Sequence, residues 1–196
     1  MNRIIIGVTL LLIFVFQSCC TKNSHEFIIN GEVKQARLEG QWVFLVPVDD
    51  SVKAVVGVDS FLIRDMKFRF VGSEEYVADI RIDWHMRYGT QNLLVVTEPG
   101  TINVVIDSTS VGGGTPQNEL LQQWKDFAIY ANRVIVEKNQ VIARFKSEGD
   151  TISANCLRDS VKAYRQFYEE QCRSIAEKSP KGTIGRDFIL SMYPKK

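Results

Sequence analysis

One short segment of the chain, residues 83–88, combines the side chains best suited to chemistry. It carries a carboxylate, two aromatic rings, an imidazole and a guanidinium, on Asp83, Trp84, His85, Arg87 and Tyr88. Such a set at the end of a predicted strand can line a ligand cleft, so these five residues are our candidates for contact with a ligand or partner. A loop tip between two strands has the same composition, and the segment alone leaves both interpretations open.

The rest of the sequence offers no residues with which this segment would form a catalytic or metal site. The chain has two histidines, and the other one, His25, lies in a polar stretch near the N-terminus. A zinc site needs three or four ligands, and a Ser-His-Asp triad needs a histidine beside its nucleophile. Asp59 and Ser60 follow the third predicted strand; adjacent residues on a strand point to opposite faces, and no base is available, so a turn at a strand end is the favoured interpretation. We therefore expect a protein without catalytic residues, metal or cofactor.

Three glycines at 112–114 precede a predicted helix, where backbone amides can hold an anion. No lysine follows them at the spacing of a phosphate-binding loop, and no parallel strand and helix pair frames them. A flexible hinge between the two halves of the chain is the favoured interpretation.

Two cysteines, Cys156 and Cys172, lie on one predicted helix. At 1.5 Å per residue they would be about 24 Å apart, whereas a disulfide requires Cα atoms within about 7 Å. The two cannot pair if that helix is continuous. Buried free thiols are the favoured interpretation, with a bridge across a broken helix and a reactive or intermolecular thiol as alternatives.

The N-terminus is typical of a lipoprotein signal peptide. Residues 4–16 are apolar, a run too short for a bilayer core, which takes about 20 residues, but suitable for a signal sequence. Arg3 precedes the run, and Ser18 lies just before a cysteine. Residues 16–19 resemble the lipobox of Gram-negative lipoproteins, although Phe16 and Gln17 depart from its usual pattern. We predict that residues 1–18 are removed and that Cys19 is lipidated.

Cys20 is the alternative lipidation site, and a plain secretory signal or an uncleaved membrane anchor are alternatives to lipidation itself. Acyl chains such as palmitate contribute about 0.8 kcal/mol per buried CH₂, so they would hold the chain on a membrane through a polar tether, residues 19–26. No acidic cluster follows the cysteine. We therefore expect a cell-envelope protein that is anchored by lipid, in the outer membrane, and that faces the periplasm.

Composition excludes disorder and indicates one domain plus an appendage. The 196 residues carry 24 Lys and Arg against 23 Asp and Glu, and removal of residues 1–18 takes Arg3 away and leaves the chain formally uncharged. Nucleic-acid binding requires a clustered excess of cations, so we expect no nucleic-acid partner.

The first half has the period-two pattern of β-strands. Predicted strands lie at 27–33, 42–47, 54–58, 67–71, 76–82, 92–97 and 101–107, with no segment of helix length between them. We expect an antiparallel β-sandwich or barrel-like domain over 27–110. Glu98, Pro99 and Gly100 suit a type II turn that joins the last two strands as a hairpin, with Glu98 as a turn residue and not a general acid.

Five motifs together resemble a known family. They are Phe27-x-Ile29-x-Gly31, Val58-Asp59-Ser60, Lys67-Phe68-x-Phe70-x-Gly72, Glu98-Pro99-Gly100-x-Ile102-x-Val104 and Gly114-Thr115-Pro116-x-Asn118. This order and spacing is similar to domain of unknown function 4369, the β-rich N-terminal domain of many envelope lipoproteins, often found ahead of a thioredoxin-like domain. The resemblance covers about residues 27–127. Met66 departs from it, since the family usually has glycine there.

The second half predicts a helical hairpin over 115–178, so the chain as a whole is α+β. Thr115 and Pro116 suit the N-cap and first position of a helix about 30 residues long. Its apolar stripe comprises Leu120, Trp124, Phe127, Ala131, Val134, Val141 and Phe145, with Lys138 as the polar member. After a turn at 147–150, a second helix carries Leu157, Val161, Tyr164, Tyr168 and Ile175 on one face and ends before Pro180. The stripe is expected to pack on the sheet and the partner helix, with docking to another protein as the alternative.

In the longer relatives the helices lead into a thioredoxin-like domain with Cys-x-x-Cys, but here only a tail, 179–196, follows and no Cys-x-x-Cys is present after the signal region. The resemblance therefore does not imply thiol redox catalysis for this sequence. We expect a non-enzymatic binding or accessory lipoprotein with an unknown envelope protein partner. The alternative is an accessory of a periplasmic thiol-disulfide system that works with a thioredoxin-like partner in trans.

Overall fold

The computed structural model describes residues 25–82 and 89–194. The first half of the chain consists mainly of strands, with one 3₁₀ turn and one short helix before β3, and helices alone make up the second half. The elements are β1 Phe27–Val33, a 3₁₀ turn Ala36–Leu38, β2 Trp42–Pro47, α1 Asp50–Val56, β3 Asp59–Leu62, β4 Lys67–Gly72, β5 Val77–Ile82, β6 Leu93–Val96, β7 Gly100–Ile106, β8 Val111–Gly113, α2 Pro116–Ser147, α3 Thr151–Glu177 and α4 Ile184–Met192.

The strands form two four-stranded sheets packed face to face. Sheet A has the order β4-β1-β7-β8 and sheet B the order β3-β2-β5-β6. Neighbouring strands are antiparallel except β1 and β7, which are parallel. Alternate residues of both sheets fill the space between them and are almost fully buried, for example Ile29, Phe70 and Ile102 of sheet A and Leu45 and Ile80 of sheet B. The predicted sandwich and the α+β class are confirmed.

The predicted strand at 54–58 is wrong, and so is the expectation that no helix lies among the strands. Helix α1 occupies most of that segment, and β3 begins after it. The Asp49 side chain accepts a hydrogen bond from the Ser51 amide and starts the helix, and Gly57, with φ of 76°, ends it. A short apolar run has no clear period, so capping decides its structure here.

The predicted hairpin between the last two strands is also wrong, because β6 lies in sheet B and β7 in sheet A. The Thr97 amide still donates to the Tyr76 carbonyl beside β5, whereas the Gly100 amide donates to the Glu26 carbonyl beside β1. The turn therefore carries the chain across the sandwich. The predicted glycine hinge is likewise a strand, since β8 pairs with β7 through Gly112 and Gly113.

Two glycines of the strand motifs are paired with phenylalanines. Gly31 lies directly opposite Phe68, and Gly72 directly opposite Phe27, on the neighbouring strands β1 and β4. In each pair the aromatic ring occupies the space that a Cβ on the glycine would need. The alternation of glycine and phenylalanine thus lets the rings lie flat against the backbone of the neighbouring strand.

Helices α2 and α3 form the predicted antiparallel hairpin, and α4 is an additional helix within the segment assigned as a tail. Near the sandwich the three helices cover part of sheet B, where Val77 and Val96 pack against Leu121, Ile175 and Ile189. Lys125, whose amine donates to the Ser110 carbonyl, marks where the hairpin leaves the sandwich. Beyond Phe127 and Tyr168, which meet Tyr193 at the base of the hairpin, the two helices pack on each other. Its separate core contains Ile135, Ile142, Ala154 and Val161. We call residues 126–168 the arm.

Asn118 joins the first turn of α2 to the edge of sheet B. Its side-chain amide donates to the Val96 carbonyl at 2.8 Å, and its carbonyl accepts from the Val96 amide at 3.0 Å. The side chain thereby makes the hydrogen bonds that a further strand would make beside β6. Asn118 is 2% exposed, so no solvent replaces these bonds.

Glu98 caps the same helix, although the sequence assigned it to a hairpin turn. Its carboxylate accepts hydrogen bonds from the backbone amides of Gln117 at 2.6 Å and Asn118 at 3.2 Å. Thr115 occupies the N-cap position, but its hydroxyl accepts no backbone capping bond and instead accepts from the side-chain NH₂ group of Asn118 at 2.8 Å. A carboxylate at this position complements the positive end of a long helix. The Gln117 side chain extends the junction by accepting from the Gly185 amide of α4.

Replacement of Asn118 by alanine tests this junction. Asn118→Ala leaves the buried amide and carbonyl of Val96 without partners, and we expect a loss of about 2–4 kcal/mol of unfolding free energy in urea titrations. Asn139→Ala, at an exposed position of the same helix, is the control and should change stability by less than about 0.5 kcal/mol. Equal effects of the two substitutions would contradict the role given to Asn118.

Candidate functional site

A candidate site lies on the outer face of sheet A, which we call the open face. Strand pairing aligns Arg69, Asn30, Asn103 and Gly113 in one row across β4, β1, β7 and β8. Adjacent strands are about 4.8 Å apart, so three polar side chains follow one another at regular spacing. They line a cavity of about 810 Å³.

The polar row is free to bind another molecule. Asn30, Arg69 and Asn103 are exposed, and among the described residues their side chains make no hydrogen bond with the rest of the protein. The main helix contacts are with β5, β6 and β8, so the middle of the open face is left to solvent. Each amide offers both donors and acceptors, and the guanidinium offers donors only.

The charges beside this row are mainly positive. Arg64, Lys67 and Arg69 line the cavity together with one carboxylate, that of Glu32. Glu32 is 2.6 Å from the Lys34 amine in an exposed ion pair, so part of its charge is already compensated. The arrangement favours a ligand or partner group that is acidic and that also accepts hydrogen bonds from amides.

The residues singled out by the sequence are not placed by this structure. Asp83, Trp84, His85, Arg87 and Tyr88 lie outside the described residues, and so do Cys19 and Cys20. The residues that flank the 83–88 segment are Ile82, at the end of β5, and Gly89. The ligand-contact hypothesis for this segment therefore stays a prediction.

The two remaining cysteines lie on α3, which is continuous from Thr151 to Glu177, so they cannot bridge within one chain. Both are free, with Cys156 exposed and Cys172 fully buried. The expectation of buried thiols holds for Cys172 and not for Cys156. Burial raises the pKa of the Cys172 thiol, and the nearby polar groups of Tyr193, Tyr168 and Trp124 only partly oppose this effect.

An aromatic cluster surrounds Cys172 where the three helices meet. The hydroxyls of Tyr168 and Tyr193 are 2.7 Å apart, and the Trp124 indole donates to Tyr193 at 3.3 Å. Phe127 stacks on Tyr168 with ring centroids 5.7 Å apart. Burial raises the pKa of both tyrosines, so each keeps its proton at neutral pH. These contacts describe a packed helix interface and not a reactive thiol site.

Neither a metal site nor a membrane span is found among residues 25–82 and 89–194. No group of three or more His, Cys, Asp or Glu side chains is arranged to hold a metal ion there. No helix in that part of the chain combines the length and apolar character needed to cross a bilayer.

Comparison with known families decides what the first half of the chain is. Residues 27–121 match the family described as domain of unknown function DUF4369. These residues form a DUF4369 domain. No curated protein and no solved structure matches the chain. The resemblance drawn from the five motifs is thereby confirmed over this segment.

The limits of the DUF4369 match follow the structure: the match begins with β1 and ends in the part of α2 that contacts sheet B. The matched segment contains both sheets and ends just after the first turn of α2, so it includes Glu98 and Asn118. The arm lies outside it. The open face belongs entirely to the DUF4369 domain. Its polar row could not be predicted from the sequence, because alternation marks outward positions without showing which of them become neighbours.

Proposed function

We propose that this protein is a lipid-anchored lipoprotein of the cell envelope that acts as a non-enzymatic binding or accessory module. The observation that carries the binding role is the open face, with its row of Arg69, Asn30 and Asn103 that has no partner among the described residues. A partner with an acidic group would satisfy these side chains and the neighbouring cations. The anchor is supported by the signal-like N-terminus that ends at Cys19.

The anchor is tested by lipid labelling of the full chain. We expect metabolic incorporation of an alkyne-tagged palmitate that is lost in Cys19→Ser and kept in the matched control Cys20→Ser, because only the lipidated cysteine carries the acyl chains. Mass spectrometry of the mature N-terminus checks the same assignment. Loss of label in Cys20→Ser alone would move the site to Cys20, and retention of label in both variants would contradict lipidation at either cysteine.

The binding role is tested by photo-crosslinking in intact cells. A photoreactive residue at position 103, on the open face, should form an adduct with an envelope component, whereas one at exposed position 155 on the arm should not. Arg69→Glu should reduce the adduct at least about fivefold because it reverses a charge that faces the partner, and Arg158→Glu, on the arm, should leave it unchanged. An absence of adduct at 103, or equal loss in both variants, would count against the open face.

A second candidate function, as an accessory of a thiol-disulfide system in trans, is favoured only by the exposure of Cys156. Cys172 is unsuited because it is buried and its raised pKa keeps it as the unreactive thiol.

Thiol reactivity distinguishes this second candidate. In the chain from residue 21 onward, we expect one thiol to react with a disulfide reagent in the native state and the other only after denaturation. A mixed disulfide with an envelope protein that is trapped in cells and disappears in Cys156→Ser would support the redox role. If no such adduct forms, or if the Cys156→Ser variant traps it equally well, the role is excluded.

A further inference from the structure

Helix α1 exposes a cluster of valines to solvent. Although four of its seven residues are apolar, it contains no buried side chain. Val55 is 85% exposed, and the neighbouring valines are exposed or only partly covered. We call the set of Val48, Val52, Val55, Val56 and Val58 the valine patch. It continues into a groove of about 520 Å³ that Val52 lines together with Ile184 and Phe188 of α4. Exposed aliphatic side chains grouped within eleven residues, next to an apolar groove, are a candidate contact site.

The valine patch lies at the end of the sandwich where the chain enters. Strand β1 begins there at Phe27, paired with Gly72 and Gly100. Strand β2 ends at the same end, since Pro47 pairs with Ala78 near the start of β5, and α1 follows directly. Only residues 20–26 separate Phe27 from the proposed lipidation site at Cys19, and the eight steps from Cys19 to Phe27 span at most about 28 Å. A lipid on Cys19 would therefore keep this end close to the bilayer.

The arm points the other way. Helix α2 starts beside Val96, at the end where the chain enters, and passes Ser110 at the opposite end, where Lys125 contacts it. Its remaining residues, 126–147, extend about 33 Å beyond that point at 1.5 Å per residue. Ile152, which is 82% exposed at the start of α3, is thus an exposed aliphatic residue far from the valine patch.

The charges beside the valine patch indicate which kind of lipid surface it can contact. Residues Asp49, Asp50 and Asp59 flank the patch, Glu75 lines the adjoining groove with Asp49, and Lys53 is the cation within α1. This acidic rim would be repelled by anionic lipids. A zwitterionic bilayer that contains phosphatidylethanolamine has no net charge and does not repel this rim, and its ammonium groups can pair with the carboxylates.

We infer that the valine patch is a second, weak membrane contact that docks α1 on a zwitterionic lipid surface and orients the arm away from it. The inference rests on the proposed anchor at Cys19, because an isolated patch of this size would not hold the protein on a bilayer. Once tethered, the patch meets lipid at high effective concentration.

The test uses the chain from Cys19 to the C-terminus, carrying Cys20→Ser and Cys156→Ser, coupled through Cys19 to a maleimide lipid in vesicles of phosphatidylethanolamine and phosphatidylcholine. Hydrogen exchange of the amides at 50–58 should slow at least about threefold relative to the unlipidated protein, with no change at 145–153. Replacing phosphatidylethanolamine by an anionic lipid should abolish the slowing at low salt.

Val55→Asp should remove this protection, and Ile152→Asp, the matched exposed residue on the arm, should not. Unchanged exchange in β1 and β7 confirms that each variant is folded. Absence of slowing at 50–58, or equal slowing in Val55→Asp, would overturn the inference. Because the lipid is attached chemically, such a result would leave the proposed anchor standing, whereas loss of palmitate labelling in cells bears on the anchor alone.

Discussion

The pairing of Asn118 with Val96 is the contact on which the arrangement of the two halves depends. Strand β6 is an edge of sheet B, and a bare edge leaves amides and carbonyls without partners. One side-chain amide supplies both missing bonds while its own backbone amide is held by Glu98. The edge of the sheet and the start of α2 are thereby fixed by the same residue, and neither can shift without leaving buried polar groups unpaired.

Much of the fold could be predicted because it depends on local pattern. Strands β1 and β2 lie where alternation places them, and α2 begins at the proline that favours a first helical position. The failures have a common cause. At 54–58 a capping aspartate decides that the segment is helical. At the turn through Gly100 the chain passes from one sheet to the other. Apolar periodicity indicates neither of these features. The apolar stripe predicted for the long helix is also inexact. Ile135 and Ile142 are buried, whereas the predicted neighbours Val134 and Val141 are only partly buried.

The open face was harder to predict than the fold that carries it. Outward positions such as Asn30 and Asn103 follow from alternation, but their alignment requires that β1 and β7 pair in parallel across 73 residues of sequence. That register is set by the shared core, where Ile29 and Ile102 lie opposite each other. The sequence instead favoured the 83–88 segment, because chemically rich side chains that are neighbours in the chain are visible without any knowledge of pairing.

The junction also determines which surfaces of the molecule can be used together. The helices pack on sheet B and along the β8 edge, so the outer face of sheet A stays uncovered. Because α2 starts at the end where β1 starts, its far half leaves the sandwich at the opposite end. If α2 began at the opposite end of the sandwich, the arm would instead extend past the start of β1. With the observed direction, the start of β1, the open face and the arm occupy three separate sides, so the proposed anchor before β1 and the proposed partner on the open face would not compete for space.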